Sequence, residues 1–202
     1  FNGCANAITN EVIQLDSQSI TTKSTDIVVS ETADIPLDIW ERIRLELTIT
    51  IPDDKIASTS VYRERLYKNQ SSVNRISKSG QRYHHHTDTR AQELGLPIEL
   101  ALLPFVESEF DPYAKSVDGA TGIWQFMPAT GREWGLKSNW WYDGKKDVLA
   151  STEAALQFLT YLNKKFDGDW LLAMAAYNTG LTRVNRAIRK NKKQDKPTRF
   201  WD

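Results

Sequence analysis

A glutamate that directly follows an unbroken apolar run is the residue in this chain best suited to acid–base chemistry. From Leu100 to Val106 no side chain is polar, and Glu107 comes next. A segment apolar on every face belongs in a core. A carboxyl at its end loses hydration, which disfavours the charged form, raises the pKa and lets the proton persist near neutrality. That is a general acid's requirement in cleaving a C–O bond. A glycosidase normally adds a second carboxylate, and the neighbours supply it poorly. Glu109 points to a nearly opposite side of a helix, and Asp111 shares the face only if the helix survives to Pro112. Asp118, Glu133 and Glu153 sit in polar or exposed settings. The residues therefore allow, without establishing, a mechanism with one carboxylate in which the substrate supplies the other group.

Other polar groups with chemical potential are fewer. Tyr177 and Asn178 end the largely apolar run Asp169–Thr179. They either satisfy themselves at a helix terminus or turn their polar tips toward a ligand beside Glu107. The run His84-His85-His86 invites a metal, but adjacent helical residues point about 100° apart and no His pair lies four apart, so no metal site is expected. Trp134, Trp140, Trp141 and Tyr142 cluster in one stretch; their flat faces suit sugar rings, yet core packing is the favoured reading for each.

The elements that must hold these groups are helical. Residues 36–51 place Trp40, Ile43 and Leu47 at helical spacing, and Pro52 ends the helix. Residues 61–90 read as two weak helices broken near Ser79-Gly80. Gly95 closes the helix before it, and Pro97 suits a first turn. Pro104 predicts a kink or a short helix, Asp111-Pro112 an end, and Asp118-Gly119 with Gly122 a loop. Asp147 reads as an N-cap for a helix striped with Ala155, Phe158, Leu159, Leu162 and Phe166, which Gly168 stops. The run Asp169–Thr179 forms a second apolar helix closed by Gly180, and the basic run Leu181–Lys193 a solvated helix.

Composition bounds the rest. The chain has 202 residues, enough for one substantial domain and a tail, with 26 basic and 26 acidic side chains, so no net field draws it toward nucleic acid. No apolar run approaches the roughly 18 residues of a transmembrane helix. The polar residues 1–34 read as a flexible tether. Within it the sole cysteine, Cys4 after Gly3, is similar to the end of a bacterial lipoprotein signal, where the cysteine becomes lipidated; an ordinary thiol near an arbitrary start is the competing reading. Residues 35–95 are expected to supply helices packed on a catalytic domain at 96–202.

Three ordered motifs carry a resemblance: Glu107-Ser108 after LALLPFV; Gly122-Ile123-Trp124-Gln125 with Pro128-Ala129-Thr130; and Ala176-Tyr177-Asn178 with Gly180. Together they resemble the SLT-type lytic transglycosylases over roughly residues 36–202. The resemblance implies an all-α, lysozyme-like domain that cleaves the MurNAc–GlcNAc bond of peptidoglycan without water and leaves 1,6-anhydromuramic acid ends. It implies Glu107 as acid and then base, with the substrate's N-acetyl group assisting. It further implies Ser108 near the reacting sugar, backbone contacts at Gly122 and Ile123, a polar contact at Gln125, and Tyr177 orienting Glu107 or the N-acetyl group. Trp124, Met127, Thr130 and Asn178 would line or support the groove. No cofactor is implied; the partner is the glycan strand, and the place a bacterial periplasm, with an outer-membrane anchor if Cys4 is lipidated. A hydrolysing muramidase and an inactive peptidoglycan-binding module are the alternatives. Two departures stand out: Tyr83–Thr87 occupies a helix that is apolar and aromatic in relatives, which puts that helix's burial in doubt, and the chain stops at Asp202, where such relatives continue into cell-wall-binding repeats.

Overall fold

The computed structural model describes residues 39–202; the tether 1–34 and Cys4 lie outside them. The described residues form α-helices α1 (Ile39–Glu46), α2 (Asp53–Ile56), α3 (Ser60–Lys68), α4 (Gln70–Glu93), α5 (Leu103–Ser108), α6 (Pro128–Glu133), α7 (Val148–Lys165), α8 (Trp170–Thr179) and α9 (Leu181–Lys192), with 3₁₀ turns at Ala57–Thr59 and Ile98–Leu102. Extended pairing among the described residues is confined to the isolated bridges Lys115–Thr121, Thr121–Phe126 and Ser138–Asp143. The fold is all-α.

Helix α7 is the post of the structure. Asp147 caps it by accepting from the Leu149 and Ala150 amides, both at 3.0 Å, and its stripe Ala155, Leu156, Leu159 and Leu162 is fully enclosed. Its upper part meets Ala91, Leu100, Ile123, Trp124, Phe126 and Leu136 in one core. Its lower part joins Phe166, Ala173, Ala176 and Val184 in another. Phe158, Trp170 and Tyr177 pack against both cores, which makes α8 the hinge between them. Asp169 caps α8 through the Leu172 amide at 2.9 Å, and Gly180, at φ 90°, turns the chain into α9.

Helix α4 departs from expectation. It runs unbroken through Ser79-Gly80, and the interruption falls earlier, at Asn69. Gly80 serves packing instead: a Cβ there would sit 2.9 Å from the Phe110 ring. The stripe Ile76, Gly80, His84, Thr87, Asp88 and Ala91 is buried, so the Tyr83–Thr87 stretch does form a packed helix despite its polarity. Part of that polarity is met locally: the Thr87 hydroxyl donates to the His84 carbonyl at 2.9 Å, and His84 Nδ1 lies 3.1 Å from Asp88 Oδ1, while His84 Nε2 is buried without a hydrogen-bond partner among the described residues. The His84 ring also packs against Trp40 and Phe110. The three histidines differ in exposure: His84 is buried, His86 half-buried and His85 exposed.

Helix α1 ends at Glu46, short of Pro52, because Glu99 captures the chain, its Oε1 accepting from the Thr48 and Ile49 amides at 2.6 Å each. Pro104 lies at the start of a short helix, as its type predicts. The 3₁₀ turn stops at Leu102 and α5 starts anew, leaving Pro104 in a first helical turn where no N–H is needed. The apolar run is not enclosed on all sides, since Leu100, Ala101 and Pro104 are buried but Val106 is 74% exposed.

Candidate active site

Glu107 stands in the last turn of α5, half-buried, and the helix ends one residue later. It stops well before Asp111-Pro112 because Glu109 and Phe110 both adopt left-handed backbone, at φ 55° and 59°. Such geometry is unfavourable for a bulky residue unless its surroundings hold it. Here the Phe110 ring is enclosed against Gly80 and His84, and its amide donates to the Pro104 carbonyl at 3.1 Å. The chain reversal fixes where α5 ends, and so where Glu107 points.

The carboxyl meets the last turn of α8, where Asn178 Nδ2 donates to Glu107 Oε1 at 3.3 Å. Desolvation raises the Glu107 pKa above the ordinary glutamate value, and the Asn178 hydrogen bond opposes this only in part. The C-terminal end of a helix carries partial negative charge, which further disfavours a carboxylate beside it. The neighbouring acids are committed elsewhere. Glu109 is ion-paired with Arg75, and Asp111 Oδ1 accepts from the Tyr113 amide at 2.9 Å.

A tight loop stands on the other side of the turn. Thr121 and Phe126 exchange both backbone hydrogen bonds at 3.1 Å, enclosing Gly122–Gln125. Gly122 has φ 83°, and a Cβ would lie 1.8 Å from the Lys145 carbonyl oxygen; no other residue fits. Gln125, also left-handed at φ 48°, donates from Nε2 to the Gly122 carbonyl at 2.8 Å and to the Ala114 carbonyl at 3.4 Å. The loop is tied to α5 by Ser108, whose hydroxyl donates to the Ile123 carbonyl at 2.9 Å. It is tied to α8 by Tyr177, whose hydroxyl donates to the Trp124 carbonyl at 2.7 Å. The Tyr177 phenol is held well above its usual pKa, first by burial and second by the Glu107 charge.

The structure therefore brings Glu107, Ser108, Tyr177 and Asn178 together around the 122–125 loop. The side chain that touches Glu107 is Asn178, while the Tyr177 hydroxyl is taken by Trp124. Ile123 and Trp124 have no exposed side chain, and Trp124 Nε1 donates to Thr152 Oγ1 at 2.9 Å in the core; what they present to the site is backbone. Met127 is exposed just before α6, and Thr130 is half-buried within that helix. Two clefts flank the end of α5. One, of about 520 Å³, is lined by Trp40, Leu66, Leu102, Phe105 and Val106; the other, of about 670 Å³, by Arg75, Tyr83, Ser108, Glu109 and Phe110. Among the described residues no group of three or more His, Cys, Asp or Glu could hold a metal ion, and no helix is long and apolar enough to cross a membrane.

Sequence reasoning missed the Thr152 and Lys145 supports of the loop. A threonine in the stripe of α7 and a lysine in a polar turn gave no signal, because what marks them is a partner distant in sequence.

Comparison with known proteins adds the following. The family model described as the transglycosylase SLT domain matches residues 88–200. A membrane-bound lytic murein transglycosylase D from Escherichia coli is 44% identical over 165 residues, covering 81% of this chain and 36% of its own. The peptidoglycan transglycosylase of Escherichia phage T7 is 40% identical over 89 residues, 42% of this chain and 6% of its own. Thus this chain spans about a third of the length of the first of these and far less of the second. Among solved structures, an inactive mutant of the lytic transglycosylase Slt from Pseudomonas aeruginosa is 25% identical, covering 74% of this chain and 26% of that one, with a TM-score of 0.45.

Proposed function

This chain belongs to the transglycosylase SLT domain family, and on that premise we propose that it is a peptidoglycan lytic transglycosylase in which Glu107 serves first as acid and then as base. The observation that carries the reading is a half-buried glutamate whose pKa is raised by desolvation and whose carboxyl meets an amide rather than a cation, with the adjacent acids paired elsewhere. A carboxyl paired with Arg or Lys would be ionised and unable to donate.

The steps follow from one titrating group. Protonated Glu107 donates to the glycosidic oxygen between MurNAc and GlcNAc, and the C1–O bond breaks with its electron pair leaving on that oxygen. Glu107 is then a carboxylate. It takes the proton of the muramic acid C6 hydroxyl, O6 attacks C1, and a 1,6-anhydro ring closes while Glu107 returns to its starting form. The substrate's N-acetyl group supports the positive charge at C1, the task a second carboxylate performs in other glycosidases. No water is consumed.

The surrounding groups position this chemistry. Asn178 fixes one carboxyl oxygen and leaves the other to the substrate. Ser108, its proton given to Ile123, offers lone pairs, and Gln125 offers its carbonyl. The ties from Ser108 and Tyr177 keep the loop's backbone at a set distance from the acid, with Met127 and Thr130 bordering the groove. In the cell, lipidation at Cys4 would place this activity in the bacterial envelope, and palmitate labelling that vanishes in Cys4→Ser checks it.

The deciding experiment is mass spectrometry of products released from purified peptidoglycan. Anhydro-ended muropeptides are expected from the parent protein and none from E107Q. Reducing ends would mean a hydrolysing muramidase, and binding without release a module that has lost turnover.

A further inference from the structure

The turn 138–143 places two tryptophans where packing was expected to hide them. Trp140 is 94% and Trp141 70% exposed, whereas Trp134, a few residues earlier, packs on Phe158 and Tyr161. Exposed indoles on a loose loop would be unremarkable, but this turn is rigid. Asn139 Oδ1 accepts from the Trp141 and Tyr142 amides at 3.0 and 2.8 Å, and the Asn139 amide donates to the Tyr142 carbonyl at 2.7 Å. Below them, the Tyr142 hydroxyl donates to Asp147 at 3.0 Å, and Asp143 receives Ser138 Oγ at 2.8 Å and Lys145 Nζ at 2.6 Å. The backbone that carries the indoles is thus fixed in advance and has little conformational entropy left to lose on binding.

The turn is also continuous with the Glu107 site. The Lys145 carbonyl fills the space above Gly122. Lys146 Nζ lies 6.0 Å from the centroid of the exposed Tyr113 ring, and Tyr113 adjoins Ala114, whose carbonyl accepts from Gly122 and Gln125. A path of contacts therefore leads from Glu107 through Ser108 and the 122–125 loop to Tyr113 and Lys146, whose amide donates to the Asp143 carbonyl at the end of the turn at 2.8 Å.

The chemistry of the turn favours sugar over lipid. Flat indole faces take the C–H faces of pyranose rings, and Asn139, whose Oδ1 is spent on the turn, has its Nδ2 to offer a hydroxyl beside them. The only ionisable acid or base in 138–143 apart from the Tyr142 phenol is Asp143, and Lys145, the cation nearest to it, is buried and committed to it. An anionic bilayer, which is drawn by clustered Lys and Arg, finds no such cluster in the turn.

We propose that Trp140 and Trp141 form an accessory sugar-stacking platform that holds the glycan strand away from the bond being cleaved. The proposal rests on the reading of the Glu107 site as one that acts on such a strand.

The test measures dissociation constants of E107Q, which binds without turning over, for isolated murein sacculi and for glycan fragments of increasing length, with and without W140A and W141A together. Loss of the two indoles is expected to weaken binding of sacculi and long fragments about tenfold, with a smaller effect on a disaccharide. W140F with W141F is expected to restore most of the affinity, and the melting temperature to stay constant because both side chains are exposed. Unchanged binding of long fragments overturns the proposal, as does an effect confined to phosphatidylglycerol–phosphatidylethanolamine vesicles. Length-dependent loss alongside a parent protein that releases no anhydro ends would retain the platform and defeat the transglycosylase reading; normal release with unaltered binding would do the opposite.

Discussion

The segment around Glu107 and the helix pair α7–α8 behind it obtain their shape by different means. α7 and α8 are each capped at the N-terminus by an aspartate, the apolar positions recur at helical spacing, and burial of those positions holds the pair together. Between Glu109 and Gln125 there is almost no regular structure. Position is held there by left-handed residues at 109, 110, 122 and 125 and by a few side-chain hydrogen bonds from Ser108, Gln125 and Tyr177. The scaffold tolerates approximate complementarity because many contacts share the load. The site depends on a few backbone conformations, any of which can fail alone.

Glu107→Gln should have the largest effect, lowering product release by about a thousandfold, within the range for loss of a general acid, while sacculus binding persists. The same substitution should stabilise the fold increasingly as pH rises. The pKa of buried Glu107 lies above its unfolded value, so the contribution of the neutral carboxyl is present in full below the unfolded pKa. It is lost as pH climbs through the folded one, whereas glutamine has no such loss. Melting curves of both proteins across that interval check the sign.

Next in size, Gly122→Ala should cost about 3 kcal/mol, because it combines a left-handed residue with a clash against the Lys145 carbonyl. Leu159→Ala, in the scaffold, should cost a similar amount, about 3 kcal/mol, through a cavity. The comparison is sharpened by turnover measured under folded conditions, which should fall with the first and hold with the second; equal turnover in both would erase the distinction between site and scaffold. Thr152→Val leaves the Trp124 indole N–H without its acceptor and should cost about 1–2 kcal/mol in urea unfolding.

The smallest effect is expected of Asn178→Ala. Its amide lowers the Glu107 pKa, so removing it should move the alkaline limb of the rate profile to higher pH, with a change in maximal rate of less than about tenfold. A shift to lower pH would show that Asn178 does not act on the carboxyl in the way its geometry indicates.

Much of this was legible in the residues. The cap at Asp147, the stripe of α7 and the closure at Gly180 are local signals, and the structure follows them. The exceptions have two causes. Gly80 reads as a breaker until the Phe110 ring is seen against it. The buried side of α4 is composed of Gly, His, Thr and Asp, which no hydropathy pattern marks. Trp140 and Trp141 read as core and lie in solvent. For Gly80 and the buried side of α4 a partner far along the chain reverses what the local residue type suggests, whereas the tryptophans are carried outward by hydrogen bonds within their own turn.

By itself the sequence determined the helical class, the limits of α7 and α8, and an acid placed at the end of an apolar run, because propensity, capping and periodicity act over a few residues. Only the tertiary structure decided that Asn178 holds Glu107, that Tyr177 serves the Trp124 carbonyl and that Gly122 makes room for Lys145. Those outcomes depend on distances between segments dozens of residues apart, which are set when the cores close and not before.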